Sequence, residues 1–163
     1  MEKHYFRPDI STAGTAEYAE AFLQGLRDER KANINDVNSM IDPIYDSLDW
    51  ENRTMTVKFI AKEWELNRVG VMHGGITATM LDHTGGCTAC AFTGYWTPTI
   101  DETVKFISQI NLGDKLTCTG HIIHLGKRFI TLEVTMFNET SGRLAAQALC
   151  TFANGASNSS ANK

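Results

Sequence analysis

At 163 residues the chain has the length of one domain with a full hydrophobic core. Its 42% hydrophobic and 21% charged residues are ordinary for a soluble globular protein. A net charge of -4 and a pI near 5.7 disfavour nucleic acid as the main partner. Met1 to Asp9 hold no signal-like apolar run and no stretch has the length of a membrane span, so a cytoplasmic protein with no membrane partner is expected.

Residues 15–32 read as an amphipathic helix. Tyr18, Phe22 and Leu26 recur every four residues, with Glu17, Glu20, Arg27 and Asp28 between them. Such a helix covers something, either a sheet edge or the mouth of an active site. Asn33 to Asp42 is polar and predicts a connection. Pro43 to Asp49 predicts a short strand, and Thr54 to Ile60 alternates with period two as a strand does. Gly75 to Phe92 is apolar nearly all round, so a buried helix is expected.

Four strand-like runs follow: Pro98 to Ser108, Lys115 to Leu125, Phe129 to Asn138 and Leu144 to Asn154. Turn signals at Asn111–Asp114, Gly126-Lys127 and Thr140–Gly142 separate them, which predicts a four-strand antiparallel meander. The chain thus divides into an N-terminal helical extension (1–41), a main domain (42–154) and a tail (155–163) expected to be disordered. The class is α+β, a curved antiparallel sheet packed on a helix.

The four cysteines include a C-x-x-C at Cys87 and Cys90, a spacing used for zinc or redox chemistry. No second pair and no suitably spaced histidines accompany it, and both cysteines fall in the apolar helix. Small buried thiols are the better reading, and no metal site is expected.

The chemistry concentrates between Asn67 and Asp82. Glycines at 70, 74 and 75 lead straight into the apolar helix. A helix that starts at bare glycines offers unpaired N–H donors and the positive end of its dipole, which suits an oxygen gaining negative charge. Asp82, the lone carboxylate in that helix, is a candidate base or nucleophile. Acyl transfer to water is the reaction these parts suggest. Gly86 shares the face of Asp82, and the adjacent Gly85-Gly86 pair predicts close packing, a bend or a slot for a ligand. His83 follows Asp82 by one residue and is expected to point elsewhere. Asn67 suits holding water or a carbonyl, and His73 suits a structural or positioning role. Gly74 and Asp82 are eight residues apart, about 12 Å along a helix axis. That is too far to act on one carbonyl, so an obligate dimer with composite sites is expected.

The ordered set Asn67, Gly70, His73-Gly74-Gly75, Asp82 and Gly86 resembles the hotdog-fold acyl-CoA thioesterases, in particular the phenylacetate-pathway type. Thr99-Ile100-Asp101, Gly126-Lys127-Arg128 and Gly142 to Gln147 are weaker echoes of the same family. The resemblance covers roughly Asp49 to Phe152. It implies a sheet of five to six strands wrapped round the central helix, and subunits that dimerise edge to edge, often as dimers of dimers. It also implies roles: Gly74, with Gly75, polarises the thioester carbonyl; Asp82 of the other subunit is base or nucleophile. Asn67 and His73 position water or substrate, Thr99 assists the water, and Lys127 and Arg128 meet the phosphates of coenzyme A. No cofactor is implied, coenzyme A being part of the substrate. The N-terminal helix is an addition to the minimal family pattern and is expected to influence the acyl tunnel.

Two other readings share these residues. A hydratase or dehydratase would need Asp82 and His73 working together on the α and β carbons of the acyl group. A non-catalytic acyl-CoA-binding module would keep the fold without the chemistry. The glycine turn with Asn67 favours thioester hydrolysis.

Overall fold

The computed structural model describes residues 8–30 and 36–155. Helix α1 spans Ala16–Glu29, and Thr15 caps it by accepting the Tyr18 N–H at 3.2 Å. The helix buries Tyr18, Ala19, Phe22, Leu23 and Leu26, which fits the expected stripe. They pack on the central helix and on the first strand, β1 (Ile44–Asp49). The Arg27 guanidinium donates to the carbonyls of Tyr45 and Asp46, so α1 covers one edge of the sheet. The polar stretch before β1 contains a short helix, α2 (Val37–Ile41), started by Asp36 accepting the Ser39 N–H. The rest of the expected connection and the last residues of the expected first helix lie outside the described residues. So does the tail beyond Gly155.

Strands β2 (Thr54–Ile60), β3 (Thr99–Phe106), β4 (Lys115–Leu125), β5 (Phe129–Asn138) and β6 (Arg143–Ala153) complete one antiparallel sheet. Its order is β1-β2-β4-β5-β6-β3. The expected meander therefore holds for β4, β5 and β6 only. β3 pairs with β6 across the sheet, not with β4. The reason lies in residues 107–114, which leave the sheet instead of turning back. Met72 N–H donates to the Ile110 carbonyl, and Gly113 and Asp114 exchange hydrogen bonds with Ala61. The Asn111–Asp114 turn is thereby docked after β2, and β3 is left as the far edge.

The central helix α3 runs Gly74–Thr93, one residue longer at each end than expected. It crosses the inner face formed by Met55, Val57 and Phe59 of β2, Leu116 and Cys118 of β4, and the corresponding positions of β5 and β6. The closest approach is at Gly120 of β4, where a Cβ would stand 2.3 Å from Thr88 Oγ1. Thr79, Thr84, Thr88 and Thr93 each donate to the carbonyl four residues back, so the helix buries hydroxyls without orphaning them. Gly94 ends the helix in the left-handed conformation (φ 80°), its N–H returning to the Cys90 carbonyl.

Candidate active site

The turn before α3 is built by Asn67. Its Oδ1 accepts the N–H groups of Val69 (3.0 Å) and Val71 (3.4 Å), and its own N–H meets the Val71 carbonyl. Gly70 sits at φ 81°, where any other side chain would be strained. His73 is then held by its N–H donating to the Glu65 carbonyl. Its Nδ1 caps α3 by accepting the Gly75 N–H at 2.9 Å, which fixes the neutral ring as the Nε2–H tautomer.

This corrects the sharing of roles at the glycines. The Gly75 N–H is consumed by His73, and Ile76 and Thr77 donate to the His73 carbonyl. Among the described residues, Gly74 alone keeps a first-turn N–H without a partner. It opens on a hollow of about 340 Å³ lined by Phe106, Ser108 and Ile110. Asn67 likewise spends its carbonyl oxygen on the turn, leaving only its Nδ2 to meet a ligand.

Asp82 stands two turns along the helix, half-buried, in a second and larger cavity of about 420 Å³. Thr99 donates to its Oδ1 at 2.6 Å. Gly86 lines the same cavity, whereas Gly85 is packed tightly against Leu132 and Phe152. The adjacent glycines thus divide the slot and close-packing roles between them. His83 does not point away as expected. It lines the cavity beside Asp82, because the cavity wall takes in Asp82, His83, Gly86, Cys87 and Cys90, a broad helix face.

The structure therefore gathers the site residues into two groups. Asn67, His73 and Gly74 lie at the start of α3, and Asp82, Thr99 and Gly86 lie farther along it. Lys127 and Arg128 are exposed in the β4–β5 turn. The Arg128 carbonyl accepts the Asn154 N–H, and the Ala153 N–H meets Pro98, so this turn sits at the Thr99 end of the sheet. The C-x-x-C thiols are free and buried, and among the described residues no group of three or more His, Cys, Asp or Glu is placed to hold a metal.

Glu102 is a residue the sequence reading did not find. A bulge between Thr99 and Asp101 shifts the register so that Glu102 pairs with Cys150, whose side chain is wholly buried. Burial, and then the charge of Asp82, push its carboxyl up to about 7. Simple alternation from Thr99 would have turned Asp101 inward instead.

A sequence profile of the thioesterase superfamily matches residues 69–145. Mouse acyl-coenzyme A thioesterase 13 is 31% identical over 87 residues, covering 53% of this chain and 62% of that protein. The chain thus spans less than two thirds of the length of that relative. Among solved structures, mouse thioesterase superfamily member 2 superposes with a TM-score of 0.71 at 24% identity, covering 82% of this chain and 97% of the other. A Streptococcus mutans protein solved with acetyl-CoA gives a TM-score of 0.66 at 21% identity, covering 74% and 94%. The profile spans Gly70 to Gly75, all of α3, strands β3 to β5 and the first residues of β6, and the fold around them is the same in these structural neighbours. Over residues 69–145 the chain is similar to the thioesterase superfamily, and it has the hotdog fold of these structural neighbours.

Proposed function

We propose that this protein is an acyl-CoA thioesterase whose active site is shared by two subunits. The observation that carries the reading is the separation of the two working groups. A free Gly74 N–H and the Thr99-bound Asp82 carboxylate stand on one helix about 12 Å apart, beyond reach of a single carbonyl. A two-fold axis that sets two α3 helices antiparallel brings Gly74 of one subunit to Asp82 of the other. The free edge at β3, with Ile100 54% and Phe106 61% exposed, suits edge-to-edge pairing of two sheets.

In that arrangement the thioester oxygen accepts the Gly74 N–H at the positive end of the α3 dipole. Asp82 takes a proton from water as its oxygen bonds to the carbonyl carbon, or attacks that carbon itself. After attack by water the carbon–sulfur bond breaks and the sulfur leaves as coenzyme A with that proton. After direct attack the sulfur leaves as thiolate and takes a proton from solvent, and water then hydrolyses the mixed anhydride to release the acid and restore Asp82. Thr99 fixes one carboxylate oxygen, leaving the other directed to the reaction. His73 holds the turn and Asn67 offers its amide N–H groups. Lys127 and Arg128 are exposed cations for the phosphates of coenzyme A. Pairing of dimers into a tetramer and a cytoplasmic location belong to the same proposal. Three relatives, from mouse, orangutan and human, carry the name acyl-coenzyme A thioesterase 13, which supports the substrate class.

The test is free-thiol release from a panel of CoA thioesters, run on wild type and Asp82→Asn together. Release that disappears in the mutant is expected. Full activity in Asp82→Asn overturns the assignment. Hydration of an enoyl-CoA would select the hydratase reading, and binding without turnover the binding module.

A further inference from the structure

The larger cavity has a polar wall that the hydrolytic reaction does not use. The helix face from Asp82 to Cys90 forms one side, about 12 Å long. Leu26 of the N-terminal helix, Trp96 and Phe152 supply apolar cover. Three hydrogen-bonded side chains from three separate elements, His83 of that helix face among them, supply a polar part of the lining. Tyr45 Oη lies 3.0 Å from His83 Nε2, and His83 Nδ1 lies 3.2 Å from Asn38 Oδ1. All three line the cavity.

The proton positions follow from chemistry. Asn38 Oδ1 only accepts, so His83 Nδ1 donates. His83 Nε2 therefore accepts, and Tyr45 donates its hydroxyl proton to it. Burial lowers His83 to about 4, which keeps the ring neutral, and burial raises the Tyr45 phenol, which keeps its proton. The network is thus uncharged and internally satisfied. The Cys87 thiol also meets Tyr45 and lies 3.6 Å from His83 Nε2, so what the network still offers the cavity is the second lone pair of the Tyr45 oxygen and, among the described residues, the uncommitted Nδ2 donors of Asn38. A hydroxyl matches both, since it donates to the first and accepts from the second.

We propose that this cavity holds the acyl group and that the Tyr45–His83–Asn38 wall selects a short acyl chain bearing a hydroxyl group over the unsubstituted chain. The proposal rests on the thioesterase reading and names its substrate class. The N-terminal extension is then a specificity element, since Leu26 and Asn38 both belong to it. The gain is that of one neutral hydrogen bond, about tenfold in kcat/KM.

The test compares hexanoyl-CoA with 3-hydroxyhexanoyl-CoA and 6-hydroxyhexanoyl-CoA by thiol release. Wild type is expected to favour at least one hydroxylated chain about tenfold over hexanoyl-CoA. Tyr45→Phe and Asn38→Ala should each bring that ratio toward one. Asn38 is exposed, so its variant tests the wall without a folding risk. Asp82-dependent release with no preference for either hydroxylated chain overturns this inference and leaves the thioesterase reading standing. So does a preference that both variants retain. Absence of release from every thioester overturns the thioesterase reading, and this inference with it.

Discussion

The paired glycines of α3 permit a prediction in which stability and activity move apart. Replacing either glycine by alanine removes backbone freedom from the unfolded chain and is worth about 1 kcal/mol inside a helix. What differs is the space each methyl would enter. At Gly86 the new Cβ meets only Phe152, at 3.6 Å, an ordinary contact. The full gain should therefore appear, raising Tm by about 2–4 °C for a chain of this size. The same methyl intrudes on the cavity beside Asp82, so kcat/KM should fall by about tenfold or more. At Gly85 the Cβ would stand 3.1 Å from Leu132 and 3.2 Å from two atoms of the Phe152 ring. Both neighbours are fully buried and cannot retreat. Overpacking costs about 1–3 kcal/mol and outweighs the propensity gain, so Gly85→Ala should be destabilised by about 1 kcal/mol. Thermal unfolding by circular dichroism, with thiol release on the same samples, reads both effects. The reasoning is refuted if Gly86→Ala melts below wild type, if it hydrolyses as well as wild type, or if Gly85→Ala is the more stable of the two.

Two further outcomes follow from the same geometry. Glu102, with its carboxyl raised to about 7 from 4.5, holds a proton in the folded state that the unfolded chain releases between those values. Its contribution to stability is thus lost as pH rises from about 4.5 to about 7, whereas His83, lowered to about 4, contributes stability that grows with pH from about 4 to about 6.5. The two offset each other in wild type, so denaturant unfolding of Glu102→Gln against wild type at pH 5 and pH 8 is needed to separate them. The variant should gain relative stability at the higher pH, on the order of 1 kcal/mol after discounting for the solvent around a half-exposed group; an unchanged difference would contradict the burial argument. Gly94→Ala should lose at least about 1–2 kcal/mol, since it forces a side chain into the left-handed region with its Cβ 2.3 Å from that of Ala13. Unaltered thermal unfolding in that variant would contradict the cap.

Most of the fold was legible because its signals are local. The spacing of Tyr18, Phe22 and Leu26, the alternation at Thr54–Ile60 and the apolar run after Gly74 each correspond to an observed element. The place of β3 was not legible from turn signals. Asn111–Asp114 has the composition of a hairpin turn, and nothing local reveals that it docks on Ala61 instead. Strand order is decided by which partners a crossing segment meets, and that information lies some fifty residues away. The family resemblance, not the spacing, carried the expectation of a sheet wrapped round the helix.

The same distinction explains what was missed in the site. Thr99 and Asp82 come together because the start of β3 lies against the middle of α3. Glu102 escaped because a single bulged residue inverts which side of the strand faces inward, and a period-two reading cannot register that inversion. His83 was set aside because adjacent helix positions diverge by a large angle. That rule assumes a narrow cleft. Here the N-terminal extension packs on part of α3 and walls a cavity wide enough to take in both Asp82 and His83. The extension therefore changes what this helix face can do. Without α1 and α2 the face from His83 to Cys90 would meet solvent, and the Tyr45–His83–Asn38 wall could not form, since Asn38 comes from α2. Of the groups proposed for thioester hydrolysis, His73, Gly74, Asp82 and Thr99 lie within the stretch similar to the superfamily, whereas of the three placed to choose the acyl chain His83 alone does, Asn38 and Tyr45 lying before it.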